Sequence, residues 1–147
     1  MPHPIVEYLE TALNATVEIA RAFPKDKYDF WPAPNSMSVG EQIEHIAFNV
    51  EYMVEPIAMH VGIPRAADTT AADLLSRLAA NAVRAGEVLS QLSPDQWQQA
   101  TPYPAGFTMT PLRAALVLLE HDAHHRGQLI VALRLLGIDP PKRWKEE

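Results

Sequence analysis

Thirteen prolines punctuate this chain, and they gather between four long segments whose apolar residues recur at helical spacing. Proline inside a helix removes a backbone donor and clashes with the preceding turn, so helices are expected between these clusters. The first segment runs from about Pro4 to Phe23, with Val6, Leu9, Leu13, Val17 and Ala20 on one face. The second opens at Ser38, where Ser38 and Glu41 have the spacing of a capping box, and continues to about Val61. Its apolar stripe is Ile43, Ile46, Val50, Ile57 and Val61, and Pro56 should bend or break it. The third spans about Ala71 to Leu92, capped by Asp68 or Thr70, with Leu74, Leu78, Ala82, Leu89 and Leu92 recurring. The last starts at Thr110-Pro111, a cap followed by proline, and stops at Gly137 ahead of Pro140-Pro141.

The connections carry their own signals. Tyr28 to Pro34 is too rich in proline for a helix and aromatic enough to pack down as a buried loop. Ser93-Pro94-Asp95-Gln96 predicts one short turn ending near Trp97, and Thr101 to Met109 one or two extended pieces. The basic tail, Lys142 to Lys145, is expected at the surface, with Trp144 able to pack back. With no convincing strand alternation and no internal repeat, the expectation is an all-α four-helix bundle with long connections, residues 1–147 forming a single domain.

A chain of 147 residues, 48% hydrophobic and 20% charged, can bury a core without metals or disulfides. Its net charge of −6 argues against a nucleic-acid footprint. There is no cysteine, so a thiolate nucleophile is excluded and any metal must be held by His, Asp or Glu. The N-terminus lacks the pattern of a signal peptide, and no apolar run approaches the ~20 residues that span a bilayer. A soluble cytoplasmic protein without a membrane partner is expected.

The chemistry concentrates in the last helix, at His121-Asp122-Ala123-His124-His125-Arg126-Gly127-Gln128. His121 and His125 are four apart, so their imidazoles point the same way, about 40° apart and one turn removed. Both sit in an apolar stripe of Ala114, Val117, Leu118, Leu129, Ala132, Leu135 and Leu136. Imidazoles placed there need polar partners, and one metal ion would satisfy both. His45 is the obvious third donor, although it lies about 130° from the centre of its own helix's apolar stripe, a position compatible with a cleft edge. Three histidines and a vacancy suit a reactive site, since structural sites usually close all four positions. His124 reads as a neighbour to the site, while His3 and His60 read as surface or hydrogen-bonded residues. A second stripe of Leu112, Leu119 and Ile130 lies on the far side of this helix, so the helix is either central or shared with another subunit. A homodimer through the last helix is therefore one expectation.

Ser38-Val39-Gly40-Glu41-Gln42-Ile43-Glu44-His45-Ile46-Ala47 and His121 through Leu129 resemble the two signature stretches of the DinB-like family. The resemblance extends over nearly the whole chain, including the ending Leu135-Leu136-Gly137. It implies a four-helix bundle, commonly dimeric, with a divalent metal on His45, His121 and His125. It also implies kinship with thiol-dependent S-transferases and with maleylpyruvate isomerases, although a fold alone does not choose a substrate.

The functional expectation is a metal-dependent transferase acting on a small molecule, with zinc, nickel or ferrous iron at the three histidines and a low-molecular-weight thiol as cosubstrate. Asn49, Tyr52, His124 and Gln128 are the candidates for orienting ligands or substrate. Catalytic acid and base are not identifiable. The alternatives are metal-assisted hydrolysis, with Glu41 or Glu44 as base, and a non-catalytic, stress-associated metal-binding protein.

Overall fold

The computed structural model describes residues 1–67 and 73–142. Four helices carry the fold: α1 (Pro4–Arg21), α2 (Val39–His60), α3 (Leu74–Ser90) and α4 (Pro111–Leu135). Two short 3-10 turns, Lys25–Lys27 and Gln96–Gln98, lie in the connections, and β1 (Thr101–Pro102) pairs antiparallel with β2 (Thr108–Met109) just before α4.

Each helix starts where its local chemistry directs it. Ser38 and Glu41 form the reciprocal capping box of α2, the Ser38 hydroxyl accepting from Glu41 N and the Glu41 carboxylate accepting from Ser38 N. Thr110 caps α4 with Pro111 behind it, and Gly137 follows the helix at φ +74°, a conformation that costs glycine little. The Ser93 hydroxyl accepts from Gln96 N, and the short turn that follows contains buried Trp97.

Three expectations need correction. The third helix begins at Leu74 and is capped by Asp73, which accepts from Ser76 N; Asp68, Thr70 and Ala71 lie outside the described residues, as do Trp144 and Lys145. Of the bend or break expected at Pro56, the break does not occur, since α2 continues through it. That proline takes the helical donor away from the Tyr52 carbonyl, and the Tyr103 hydroxyl donates at 2.9 Å to the next carbonyl along, that of Met53. The aromatic loop is only partly buried. Val39 N donates to Phe30 O and Gly40 N to Tyr28 O, so residues 28 and 30 dock on the start of α2. Trp31 then turns outward and is 52% exposed. Gly40 favours this docking, because a Cβ there would lie 3.1 Å from the Tyr28 carbonyl oxygen, closer than ordinary contact.

The helices pack in a ring, with α3 and α4 each touching both α1 and α2, so α1 and α2 share one diagonal and α3 and α4 the other. α2 and α3 run the same way, since Arg77 pairs with Glu51 and Arg84 with Glu55. α1 runs against α3, because Glu10 lies over Gly86 and the His3 ring packs on Trp97. α4 runs against α2, with His121 by His45 and His125 by Gln42. It follows that α1 and α4 are parallel. Leu9, Leu13, Ile43, Ile46, Ile57, Leu78, Leu118, Leu129 and Leu133 are almost wholly buried between the four helices. Each such side chain contributes about 1.5–3 kcal/mol by leaving water. None of the described helices is long and apolar enough to cross a membrane.

α4 is apolar on two sides because it is wedged between α1 and α2, and the pattern differs from the one expected. Ala114, Leu118, Leu129 and Ala132 are buried, but Leu135 from the same stripe is 59% exposed. On the other side Leu112, Leu119 and Ile130 are only half-buried, and the buried positions include Ala115, Asp122, Arg126 and Leu133. A charged pair thus sits inside that face. The Arg126 guanidinium meets the Asp122 carboxylate one turn away and donates to Ala12 O at 3.0 Å and Thr16 Oγ1 at 3.1 Å. The Thr16 hydroxyl in turn bonds Asp122 Oδ1. This network fixes the back of α4 against α1.

Candidate metal centre

With its back held on α1, α4 presents His121 and His125 to α2, where His45 stands in the second turn. The three imidazoles converge. His45 Nε2 and His121 Nε2 are 2.8 Å apart, one donating and the other accepting according to tautomer. The ring centroids are 4.7 Å apart for His45–His121 and His45–His125, and 4.5 Å for His121–His125. One ring nitrogen from each residue lies within 4.8 Å of the others. A tetrahedral ion with bonds of ~2.0–2.1 Å wants donors about 3.3 Å apart, a spacing that a cluster this tight can supply. The donor set is all imidazole, neutral and borderline in softness, so it could hold zinc, nickel or ferrous iron. Among the described residues the group numbers three, with no carboxylate joining it.

Electrostatics keeps two of these rings, His121 and His125, neutral. Burial, reinforced by neighbouring imidazoles, pushes His121 and His125 down to about 4. Neutral rings offer the lone pairs that a metal needs. The shift also carries a prediction for the metal-free protein. Between about 4 and the ordinary value near 6.5, the unfolded chain binds more protons than the folded one, so stability rises with pH across that window and is complete above it. Metal-free protein is therefore expected to lose stability as pH falls from ~6.5 toward 4. Urea midpoints measured at several pH values check this, and a flat profile in both wild type and a His121→Ala, His125→Ala double variant would contradict it.

Gln42 belongs to the site and escaped the sequence reading. Its side chain is buried, and its Oε1 lies 3.1 Å from His125 Nδ1. An amide oxygen there accepts the Nδ1 proton, which leaves the lone pair of His125 on Nε2. The signal was present in the sequence, because Gln42 lies in helical register with Val39, Ile43 and Ile46, a polar residue in a buried stripe. Gln42→Leu is expected to weaken metal binding by about 10–100-fold, and Gln42→Glu, which keeps an acceptor, to weaken it less. Competition with a chromophoric chelator gives both values.

The other sequence candidates take distinct places. His124 and Gln128 lie on the exposed side of α4 and bond each other at 2.9 Å. His124 also stands edge-on to His125, centroids 4.9 Å apart. Tyr52 packs between Phe48 and Tyr103 in an aromatic row. Asn49 is half-buried, and its buried Oδ1 has no hydrogen-bond partner among the described residues. His60 is exposed, and the His3 imidazole caps α1 by accepting from Ile5 N.

Two clefts open beside the three histidines. One, of about 700 Å³, is lined by His125, His124, Gln42, Gln128, Asn35 and Ser36 among others. The second, of about 600 Å³, is lined by His45, Trp31, Phe48, Met37, Glu41 and Glu44 among others. Asn35, Ser36 and Met37, from the connection between α1 and α2, border both.

Comparison with known proteins identifies the family. The DinB superfamily model matches residues 8–129. The chain belongs to the DinB superfamily. The uncharacterized protein YjoA of Bacillus subtilis is 28% identical over 137 residues, which covers 90% of this chain and 89% of YjoA. The crystal structure of that DinB-like protein superposes with a TM-score of 0.76 at 25% identity, covering 99% of this chain and all of the other. A putative DinB family member from Exiguobacterium sibiricum gives a TM-score of 0.66 at 20% identity, with 97% and 98% of the two chains covered. A DinB-like protein from Bacillus cereus gives 0.65 at 15% identity, with 94% of each covered. Those last two relationships show the DinB fold alone. The four helices fit that family, and His45, His121 and His125 fall inside the matched region.

Proposed function

We propose that this DinB protein is a divalent-metal transferase that joins a low-molecular-weight thiol to a small electrophile. The observation that carries the reading is the donor set, three imidazoles from two helices with no fourth protein donor among the described residues. Such a set leaves a position for an exogenous ligand, as reactive sites do and structural sites do not. A divalent ion there would act as a Lewis acid, lowering the pKa of a coordinating thiol toward neutrality. His45, His121 and His125 would hold the ion, and Gln42 would fix His125 in the right tautomer. The chain has no cysteine, so sulfur has to come from the cosubstrate.

In the transfer, the thiol sulfur forms a bond to the electrophilic carbon as the carbon–leaving-group bond breaks. The leaving group departs with the bonding electrons, and the thiol proton passes to solvent. Hydrolysis at the same site would need a carboxylate base near the histidines. Glu41 is held by Ser38 N, and both Glu41 and Glu44 are exposed at the cleft wall. The reading includes a homodimer packed through α4, supported by Leu116, Val131 and Leu135, which are 53%, 50% and 59% exposed. Light scattering that returns only monomer at tens of micromolar would remove that part.

The test is metal analysis of purified protein, followed by assays of zinc-, nickel- and iron-loaded samples with several thiols and haloaromatic or epoxide electrophiles. Thiol-dependent product that disappears with His45→Ala supports the reading. Hydrolysis without thiol, or thioether formation equal to the uncatalysed rate with every metal, overturns it.

A further inference from the structure

Asn49 stands one turn after His45 on α2, and its Oδ1 is buried with no hydrogen-bond partner among the described residues. A buried amide oxygen without a donor is costly, so an atom of this kind calls for a physical reason. We propose that Asn49 is a positioning residue for the metal centre, its Oδ1 accepting the Nδ1 proton of His45 when that ring gives its Nε2 lone pair to a divalent ion. This rests on the metal-binding part of the reading above and adds the residue that would orient the ligand from α2.

Three observations carry it. First, the donor set leaves one task undone. His45 turns Nε2 toward the other rings, 2.8 Å from His121 Nε2, so a ring that ligates through Nε2 carries its proton on Nδ1. Ligating histidines almost always donate that second proton to an oxygen, which fixes both tautomer and ring orientation. α2 already supplies one such oxygen, Gln42 Oε1, at 3.1 Å from His125 Nδ1, whereas His45 Nδ1 meets no acceptor within bonding distance among the described residues. Second, Asn49 is within reach. Residues four apart on a helix lie about 40° from each other, with Cβ atoms about 5–6 Å apart. Helical side chains lean toward the N-terminus, which carries the Asn49 amide over the turn that holds His45. Third, burial selects the partner. A buried Oδ1 is closed to a molecule in either cleft, and Asn49 lines neither of them. Across from Asn49, one turn before His121 on α4, stand Val117 and Leu118, which have no side-chain donor. Tyr52 is engaged through its ring with Phe48 and Tyr103, so the imidazole of His45 is the donor left on this side of α2.

The test uses the whole chain and zinc as the probe ion. Asn49→Ala and Asn49→Leu are expected to weaken zinc binding about 10–100-fold in competition with a chromophoric chelator. Asn49→Asp keeps an acceptor and should hold zinc more tightly than either. Metal-free Asn49→Leu should withstand urea at least as well as wild type, because an apolar side chain of similar size replaces an unpaired polar atom. A packing role alone would do the reverse, lowering metal-free stability and sparing zinc affinity. Long-range proton–nitrogen NMR of the zinc-loaded protein should show His45 bound through Nε2, with a Nδ1 proton that exchanges slowly with water and becomes fast in Asn49→Ala. Unchanged zinc affinity in the alanine and leucine variants, an aspartate variant no better than alanine, or zinc on His45 Nδ1 each overturns the assignment and leaves the transferase reading standing. Wild-type protein that binds no zinc overturns the assignment whatever the transfer assays give. Zinc binding that depends on Asn49, without thioether formation, would uphold the assignment and sink the transferase.

Discussion

Replacing His121 or His125 with alanine is expected to strip the protein of divalent metal, from about one ion per chain to a few per cent of that. Among the described residues each ring is one of three candidate donors. A two-donor remnant cannot close the geometry that an imidazole site requires, so the loss should exceed the ~10–100-fold that follows from disturbing a supporting hydrogen bond. The measurement is metal content by mass spectrometry after dialysis, with circular dichroism to show that the bundle persists. The core around the site is apolar and independent of the ion, so helicity should be retained. Full metal occupancy in both variants would mean that the convergence of these rings serves the fold alone.

The second large effect is expected far from any substrate. Asp122→Ala leaves the Arg126 guanidinium buried beside Thr16 and Ala12 without its counter-charge. Breaking a buried pair from one side costs roughly 3–5 kcal/mol, because the remaining charge still has to be kept out of water. For a chain of this size that is about 10 °C or more of melting temperature. Replacing both members with apolar residues of similar volume, Asp122→Leu with Arg126→Met, should recover much of the loss. Thermal and urea denaturation of the single and double variants decide the matter. A cost below about 1 kcal/mol for the single change would show that water reaches Arg126 after all. Metal affinity measured on the same variants would report how far the back of α4 governs the direction in which His121 and His125 point.

Much of the bundle could be read from the chain because its signals are local. Ser38 with Glu41, Thr110 with Pro111, and Gly137 mark helix ends through bonds that span three or four residues, and the same bonds are present in the fold. The site was legible for a different reason: helical register aims His121 and His125 together, and His45 is the histidine that a facing helix of a bundle can bring to them. What escaped was settled by packing between distant segments. Asp122 and Arg126 look like an ordinary surface pair at i and i+4 until α1 covers them. Gln42 reads as one more polar residue near a helix start until α4 brings His125 Nδ1 within 3.1 Å. Trp31 was expected inside because it is large and apolar, but the backbone bonds of Tyr28 and Phe30 to α2 turn it outward. Asp73, rather than a residue before it, caps α3, since a cap signal in a polar stretch has several equivalent candidates.

Asn35, Ser36 and Met37 belong to a connection, whereas every metal donor stands on a helix. Surface connections accept changes of length and composition far more readily than packed helices do. Descendants of such a scaffold could therefore exchange one substrate range for another by rewriting a handful of loop residues, with the bundle and its imidazoles untouched. Shared architecture and divergent chemistry would then be the ordinary outcome of building a cleft wall from the most replaceable part of the chain.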